Sequence, residues 1–400
     1  MTLDAKISIV IPAYNYARFL PTCIESVLAQ TYANWELIVV DNGSSDNTQE
    51  VLTKYSDSRI RKLHIEVNEG PVKAWAKGYQ QTQGDYFALL PADDVFTPRK
   101  LARQISFLDA NRDIQCVGTY IDVIDDDGKV LKKRHWMTDT VNIPMDYSNL
   151  AEWRWKHHFC IPTALYDKVT CERAGGVPLD GLTNICDWDF HVRLLGAGAH
   201  FAVIPERLTL YRWHGSNTSR QKHNTHNQWV YSHIRSFLPA LRALAPDYNQ
   251  EMGQCIETLY FDPRSSYYLE EAPVLWRCAH LEALLRPANR ISDFPTYYDF
   301  LQHTERWEIN TEERAAIAAL DSILMTLRRK LLRTRPLPTL DIANEKLFPI
   351  EQEFKEIASL LGWPLMNVIY FLCKVKREMR RGSKKLSSWL GRAQKPETTA

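Results

Sequence analysis

Two short β-branched runs stand near the start of the chain. Ile7-Ser8-Ile9-Val10-Ile11 stops at Pro12-Ala13-Tyr14-Asn15, and Glu36-Leu37-Ile38-Val39-Val40 stops at Asp41-Asn42-Gly43-Ser44. Near-continuous apolar runs of this length predict parallel strands covered on both faces. Between them Phe19, Leu20, Cys23, Ile24, Val27 and Leu28 recur at helical spacing, which predicts a helix over 17–30 and a β-α-β unit. The alternation continues: helix over 45–55, strand over 60–67, helix over 72–82, strand over 86–90, and helix over 98–110 with Pro98 in its first turn. The predicted fold class is α/β, a doubly wound, mostly parallel sheet with flanking helices. Ligands of such sheets bind past the carboxyl ends of the strands. Pro12, Tyr14 and Asn15 at one end and Asp41 and Asn42 at the next are therefore candidate ligand contacts.

The texture changes after about residue 118. Ile121, Val123 and Ile124 face Val130 and Leu131 across Asp125-Asp126-Asp127-Gly128, which predicts a hairpin over 120–133. A helix over 187–195 and a strand over 201–211 follow. Beyond about 225 the pattern is helical, broken at Arg335-Pro336-Leu337-Pro338. The expected organisation is an α/β domain over 1–220, with halves 1–118 and 119–220, a helical domain over 221–335, and a basic helical segment over 336–400.

Composition narrows this picture. Charged residues are 24% and apolar residues 45% of 400, ordinary for a soluble globular chain, and a net charge of +1 gives no reason to expect nucleic acid as a partner. The charge is unevenly placed: 374–392 carries eight Lys or Arg against the single acid Glu378, directly after the uncharged run 357–373. An apolar face beside a basic cluster suits peripheral membrane contact through 354–390. A core helix with a solvated basic tail accounts for the same residues. The eight cysteines are scattered without a C-x-x-C pair, and the first strand starts too early to leave room for a leader. The expectation is reduced packing thiols in a cytoplasmic protein, peripheral on the inner membrane face if the basic segment binds there.

Three acidic positions read at strand ends carry the candidate chemistry: Asp41, the pair Asp93-Asp94, and Asp187. Carboxylates can hold a hard cation against a diphosphate, and a further carboxylate can take a proton from an attacking hydroxyl. That division of labour suits sugar transfer from a nucleotide diphosphate to an alcohol.

Four segments in order carry a resemblance to a known family. They are Ile9-Val10-Ile11-Pro12-Ala13-Tyr14-Asn15 with Leu28-Ala29-Gln30-Thr31; Val40-Asp41-Asn42-Gly43-Ser44-Ser45-Asp46; Asn68-Glu69-Gly70 through Gly84-Asp85-Tyr86 to Asp93-Asp94; and Asp187-Trp188-Asp189 through Arg193-Leu194 to Tyr211-Arg212-Trp213-His214-Gly215-Ser216. Over roughly 6–218 the chain resembles the inverting family 2 glycosyltransferases of GT-A fold. The resemblance implies that Asp41 contacts the donor's base or ribose. It implies that Asp93 and Asp94 hold the ribose and a Mg²⁺ or Mn²⁺ on the diphosphate. Asp187 matches the catalytic base, and His214 a histidine that reaches the metal or the diphosphate. The expected donor is a UDP-sugar, with GDP- and dTDP-sugars as alternatives. The expected acceptor is a hydroxyl of a glycan or lipid-linked precursor in surface polysaccharide or lipopolysaccharide synthesis.

The departures are specific. Pro91 stands where the family's Asp-x-Asp-Asp metal motif begins, Asn42 where a second Asp is common, Trp75 within the usual Ala-Arg-Asn triplet, and Cys186 where an acid usually precedes the base. The Gln-x-x-Arg-Trp signature of processive synthases is absent, so single additions are expected. These departures motivate a rival, a degenerate transferase fold that binds or scaffolds. A sugar-phosphate nucleotidyltransferase is less favoured, because Pro12-Ala13-Tyr14-Asn15 lacks the glycine-rich loop it needs. Asp189 rivals Asp187 as the base. Trp136, Trp153 and Trp155 are candidates either for stacking on sugar rings or for packing. The adjacent His157 and His158 would face opposite sides of a strand, so packing is preferred to metal binding there.

Overall fold

The computed structural model describes residues 4–144, 147, 153, 159–177, 186–215 and 217, with scattered positions between 232 and 325. The expected segment 336–400, the run 357–373 with its basic continuation, Trp155, His157, His158 and most of 221–335 lie outside the described residues. The chain divides into two compact units, 1–244 with 294–300, and 245–293 with 301–400. In the second unit the buried Arg277 and Asp321 form a two-pronged ion pair, Nε to Oδ1 at 3.1 Å and Nη2 to Oδ2 at 3.0 Å.

The first unit is built on a mixed sheet. Its described strands are β1 (Ile7–Ala13), β2 (Trp35–Asn42), β3 (Ile60–Ile65), β4 (Tyr86–Leu89), β5 (Val95–Phe96), β6 (Cys116–Ile124), β7 (Leu165–Asp167) and β8 (Phe201–Arg212). Their order is β3-β2-β1-β4-β7-β6-β8-β5. β1 pairs in parallel with β2 and β4, and β2 with β3, as the alternation predicts. β7 then runs antiparallel to both β4 and β6, and β5 antiparallel to β8. The helices are α1 (Leu20–Leu28), α2 (Thr48–Thr53), α3 (Pro71–Gln80), α4 (Lys100–Ala110), α5 (Trp136–Val141), α6 (Lys168–Arg173) and α7 (Cys186–Gly196).

Burial explains the β-branched runs. Every residue of β2 is buried, and β1 is buried except at Pro12. α1 lays Leu20, Cys23, Ile24 and Val27 on the sheet. On the other face α3 comes so close that a Cβ on Gly78 would overlap Val10 and lie 2.9 Å from Val40 Cγ2. The register of β6 on β8 slips twice between Thr119 and Ile121, first past Pro205 and Glu206 of β8 and then past Leu208. Proline has no N–H for the ladder, so the strand bulges there.

Three expectations need adjustment. Pro98 lies before α4 rather than in its first turn, and α2 begins at Thr48 rather than 45. The hairpin over 120–133 reduces to one bridge, Ile124 with Val130, plus a bond from Leu131 N to Val123 O. β8 takes one edge of β6 along its whole length, and on the other edge β7 pairs only at Cys116 and Val117 before the return meets the last residues.

Candidate active site at the carboxyl ends of the strands

The ends of β1 and β2 are joined into one lip. Asn15 adopts a left-handed backbone (φ 56°), which asparagine tolerates better than most residues. Its Oδ1 accepts from Ser45 N (2.8 Å) and Asp46 N (3.3 Å), and its own N–H donates to Ser44 Oγ (2.9 Å). Asp46 accepts in turn from Ala17 N at 3.0 Å. Pro12 is half-buried on β1, while Tyr14 stands 42% exposed beside it.

Asp41 ends β2 with its carboxylate almost wholly buried. Oδ1 accepts from Ser44 N (3.1 Å), and Oδ2 lies 3.1 Å from Nδ1 of His64. Asp41 and His64 are register partners across β2 and β3. Asn42 does a different job. Its Nδ2 donates to Asn68 Oδ1 (2.9 Å) and Gly70 O (3.1 Å), and its Oδ1 accepts from Glu69 N (3.1 Å). A carboxylate has no hydrogen to donate, so an Asp at 42 could not make this clamp. Gly43 (φ +72°) completes it, since a Cβ there would sit 2.7 Å from Asn68 N.

The second cluster forms after β4. Pro91 to Asp94 make a turn closed by Asp94 N to Pro91 O at 3.0 Å. Asp93 Oδ2 lies 2.9 Å from Nε2 of the buried His214, and the Tyr16 hydroxyl donates to Asp93. The Tyr16 and Phe19 rings pack on the His214 imidazole, with centroids 5.9 and 5.1 Å away. Burial, then the charges of Asp93 and Asp94, push the Tyr16 hydroxyl up and keep it protonated. Asp94 Oδ1 accepts from Arg212 N at 2.8 Å. Burial, with Asp93 beside it, raises its carboxyl well above the usual range.

Arg212 is the hub that sequence reasoning left without a role. Its Nε donates to Asp93 O (2.8 Å), and its Nη1 to Asp125 O (2.7 Å) and Asp126 O (3.0 Å), while the guanidinium lies 4.8 Å from the centre of the Phe19 ring. It ties the aspartate turn to the short return after β6. The adjoining aromatic and basic residues of the final motif were its only signal. His64 was also missed, because nothing in the sequence gives the β2–β3 register.

Asp187 sits in the first turn of α7, where the positive end of the helix dipole favours a carboxylate, and its Oδ1 accepts from Trp188 N at 2.9 Å. Its rival Asp189 is fully buried and engaged by Arg193 Nε (3.0 Å), Ser232 Oγ (2.5 Å) and Ser236 Oγ (2.6 Å). Asp189 therefore serves the fold. Burial and the Asp187 charge push the Cys186 thiol up, which removes it as a nucleophile. The Cys160 thiol is raised first by burial, then by Asp94 and Asp187.

Trp75 packs inside, 2% exposed, stacked on Phe87 at 6.4 Å and edge-on to Phe190 at 5.3 Å. Trp153 is likewise buried, with its indole N–H on Tyr147 O at 2.9 Å, so this candidate stacking residue serves packing.

Among the described residues no three His, Cys, Asp or Glu side chains converge as a ready metal cage. Magnesium-type ions take one or two carboxylates plus substrate phosphates rather than an all-protein cage. Asp93, partly exposed and already beside an imidazole nitrogen, suits that mode, and the donor set fits such an ion.

Comparison with known proteins agrees with this geometry. The family model described as Glycosyl transferase family 2 matches residues 8–168. An uncharacterised glycosyltransferase of Nostoc sp. is 38% identical over 128 residues, 32% of this chain and 39% of the relative. The UDP-Glc:alpha-D-GlcNAc-diphosphoundecaprenol beta-1,3-glucosyltransferase WfgD of Escherichia coli is 40% identical over 117 residues, 29% of this chain and 46% of that protein. The matched parts thus span less than half of these relatives. The crystal structure of S. aureus TarS 1-349 in complex with UDP-GlcNAc superposes with a TM-score of 0.58 at 14% identity, covering 82% of this chain and 91% of that one, which shows a shared fold. Residues 8–168 thus carry the glycosyl transferase family 2 match, and the chain shares the fold of that S. aureus structure.

Proposed function

We propose that the protein is an inverting glycosyltransferase that moves a sugar from a nucleotide-diphosphate sugar, a UDP-sugar first, to a hydroxyl of a glycan or lipid-linked acceptor. The observation that carries this reading is a set of three unlike carboxylates, two of them past the ends of strands of the parallel half of the sheet. Asp41 is held by His64 and Ser44, Asp93 is paired to His214, and Asp187 stands in the first turn of α7. The lip of Pro12, Tyr14 and Asn15 with Asp41 would receive the base and ribose, and Asn42 shapes its far wall through 68–70. Asp93 and His214, with Asp94 behind them, would hold a Mg²⁺ or Mn²⁺ against the diphosphate. When bound, that ion would offset charge on the departing nucleotide.

Asp187 would accept the proton of the acceptor hydroxyl, whose oxygen then displaces the nucleotide from the opposite face of the sugar. The neutral Cys186 thiol and the internally engaged Asp189 leave that task to Asp187. The E. coli relative's printed name describes a diphosphoundecaprenol-linked acceptor, which supports a lipid-linked acceptor here. Such an acceptor would give the basic stretch 374–392 a reason to meet an anionic bilayer from the cytoplasmic side. No helix among the described residues is long and apolar enough to cross a membrane.

Hydrolysis of a panel of UDP-, GDP- and dTDP-sugars, with Mn²⁺ and with EDTA, tests the reading. Metal-dependent release of one nucleotide is expected. Sugar transfer to lipid extract should fall roughly 10²- to 10⁴-fold in Asp187→Asn while donor binding persists. No release and no binding of any donor would favour a non-catalytic binding protein on this fold.

A further inference from the structure

Four of the described tryptophans, Trp35, Trp75, Trp153 and Trp188, are at most 2% exposed, whereas Trp136 is 52% exposed. An isolated exposed apolar side chain needs no explanation. This one is held in place, and its location is specific. It opens α5, and the preceding His135 caps that helix, with Nδ1 accepting from Met137 N at 3.3 Å. Burial lowers the His135 pKa, which suits the neutral ring that such a cap requires. Both rings abut Trp213, His135 at 4.7 Å and Trp136 at 5.7 Å with an interplanar angle of 83°. Trp213 is itself anchored, by N–H to Ile124 O at 2.9 Å and by packing on the cluster of Ile121, Val123, Val141 and Cys160.

That anchorage sets the position of the array relative to the reaction centre. The residue after Trp213 is His214, which pairs with Asp93. Cys160 belongs to the buried cluster on which Trp213 packs. The base and ribose of the donor belong at the ends of β1 and β2, and three strands of the sheet order (β1, β4 and β7) lie between β2 and β6, which carries the array. A ring next to the Asp93–His214 pair, on the β6 side of the sheet rather than on the β2 side, suits the acceptor. Pyranoses present apolar C–H faces with a polar rim, which matches an aromatic plane fixed at its edge.

We propose that His135, Trp136 and Trp213 form an acceptor subsite on which a pyranose ring stacks against Trp136. The subsite rests on the transferase reading above. The test is saturation-transfer NMR on the full chain with UDP and Mn²⁺. Methyl β-D-glucopyranoside, methyl β-D-galactopyranoside and methyl 2-acetamido-2-deoxy-β-D-glucopyranoside serve as probes, and donor hydrolysis is read in parallel. Saturation of the ring protons of at least one probe is expected. It should fall about tenfold in Trp136→Ala and persist in Trp136→Phe, with hydrolysis within about twofold of wild type in both. Equal saturation in wild type and Trp136→Ala overturns the subsite, as does a wild type that hydrolyses donor yet saturates no probe. A wild type that neither binds nor hydrolyses any donor fails the transferase reading itself, and the hydrolysis arm reports that separately.

Discussion

Asp41 could be picked from the sequence because it follows an apolar run, but its partner His64 lies on another strand, and only the parallel register brings the two together. Holding the second carboxylate oxygen at 3.1 Å, the half-exposed His64 fixes the rotamer that faces the lip. His64→Ala is expected to raise the donor KM two- to fivefold with kcat unchanged, about 0.5–1 kcal/mol for a solvent-screened contact. Steady-state kinetics with saturating acceptor read this directly. The choice between Asp187 and Asp189 shows the same limit, because the partners Ser232 and Ser236 lie more than forty residues downstream. Lys100 is a residue no pattern flagged. Its ammonium is fully buried, 2.9 Å from Gln104 Oε1 and 4.0 Å from the centre of the Phe96 ring, and burial pushes its pKa well below 10.5. A depressed folded pKa means that folding releases a proton. Stability therefore rises with pH between that depressed value and 10.5, and the penalty is largest below it. Lys100→Met should raise stability at pH 7 by roughly 1–3 kcal/mol, with a higher thermal midpoint, and the gain over wild type should shrink toward pH 10. Melting curves of both proteins across that range decide it.

At the level of elements, the long β-branched strands β1 and β2 and the helices at 3.6 spacing were readable because burial on both faces leaves an unbroken apolar run. β5 has two residues and β7 three, too few for any period to register, and both turn the expected parallel sheet into a mixed one. The hairpin signal at 120–133 was local and correct in its chemistry. The long parallel pairing of β6 with β8 is non-local and invisible to a window of a dozen residues. Gly78 looks like a weak point in a helix by propensity, yet it is where α3 meets β1 and β2. Gly78→Ala should destabilise by about 1–3 kcal/mol, despite alanine's better helix propensity of roughly 1 kcal/mol. Urea unfolding is the readout, and Val10→Ala in the same chain should recover part of the loss by making room for the new methyl.

On the scale of the whole molecule, the α/β character, the strand-end location of the chemistry and the family resemblance were all legible, because four separated motifs point at one sheet edge. The roles within the site were legible only in part. Sequence grouped Asp93 and Asp94 together, whereas Asp94 is turned onto the backbone of Arg212 and raised in pKa, and Asp93 pairs with His214. Asn42 and Trp75 read as departures from a pattern. One is a clamp that needs an amide, and the other a core ring between α3, β4 and α7. The central claim is that the strand-end lip and the Asp93–His214 pair together hold a nucleotide diphosphate through a divalent ion. Calorimetric titration of UDP, GDP and dTDP into the full chain, with Mn²⁺, with EDTA, and in Asp93→Asn, tests it most directly. The account predicts that one nucleotide binds with Mn²⁺ and that its affinity falls at least about tenfold in EDTA and in Asp93→Asn. Binding of equal strength in all three conditions, or binding of none of the nucleotides, would contradict it.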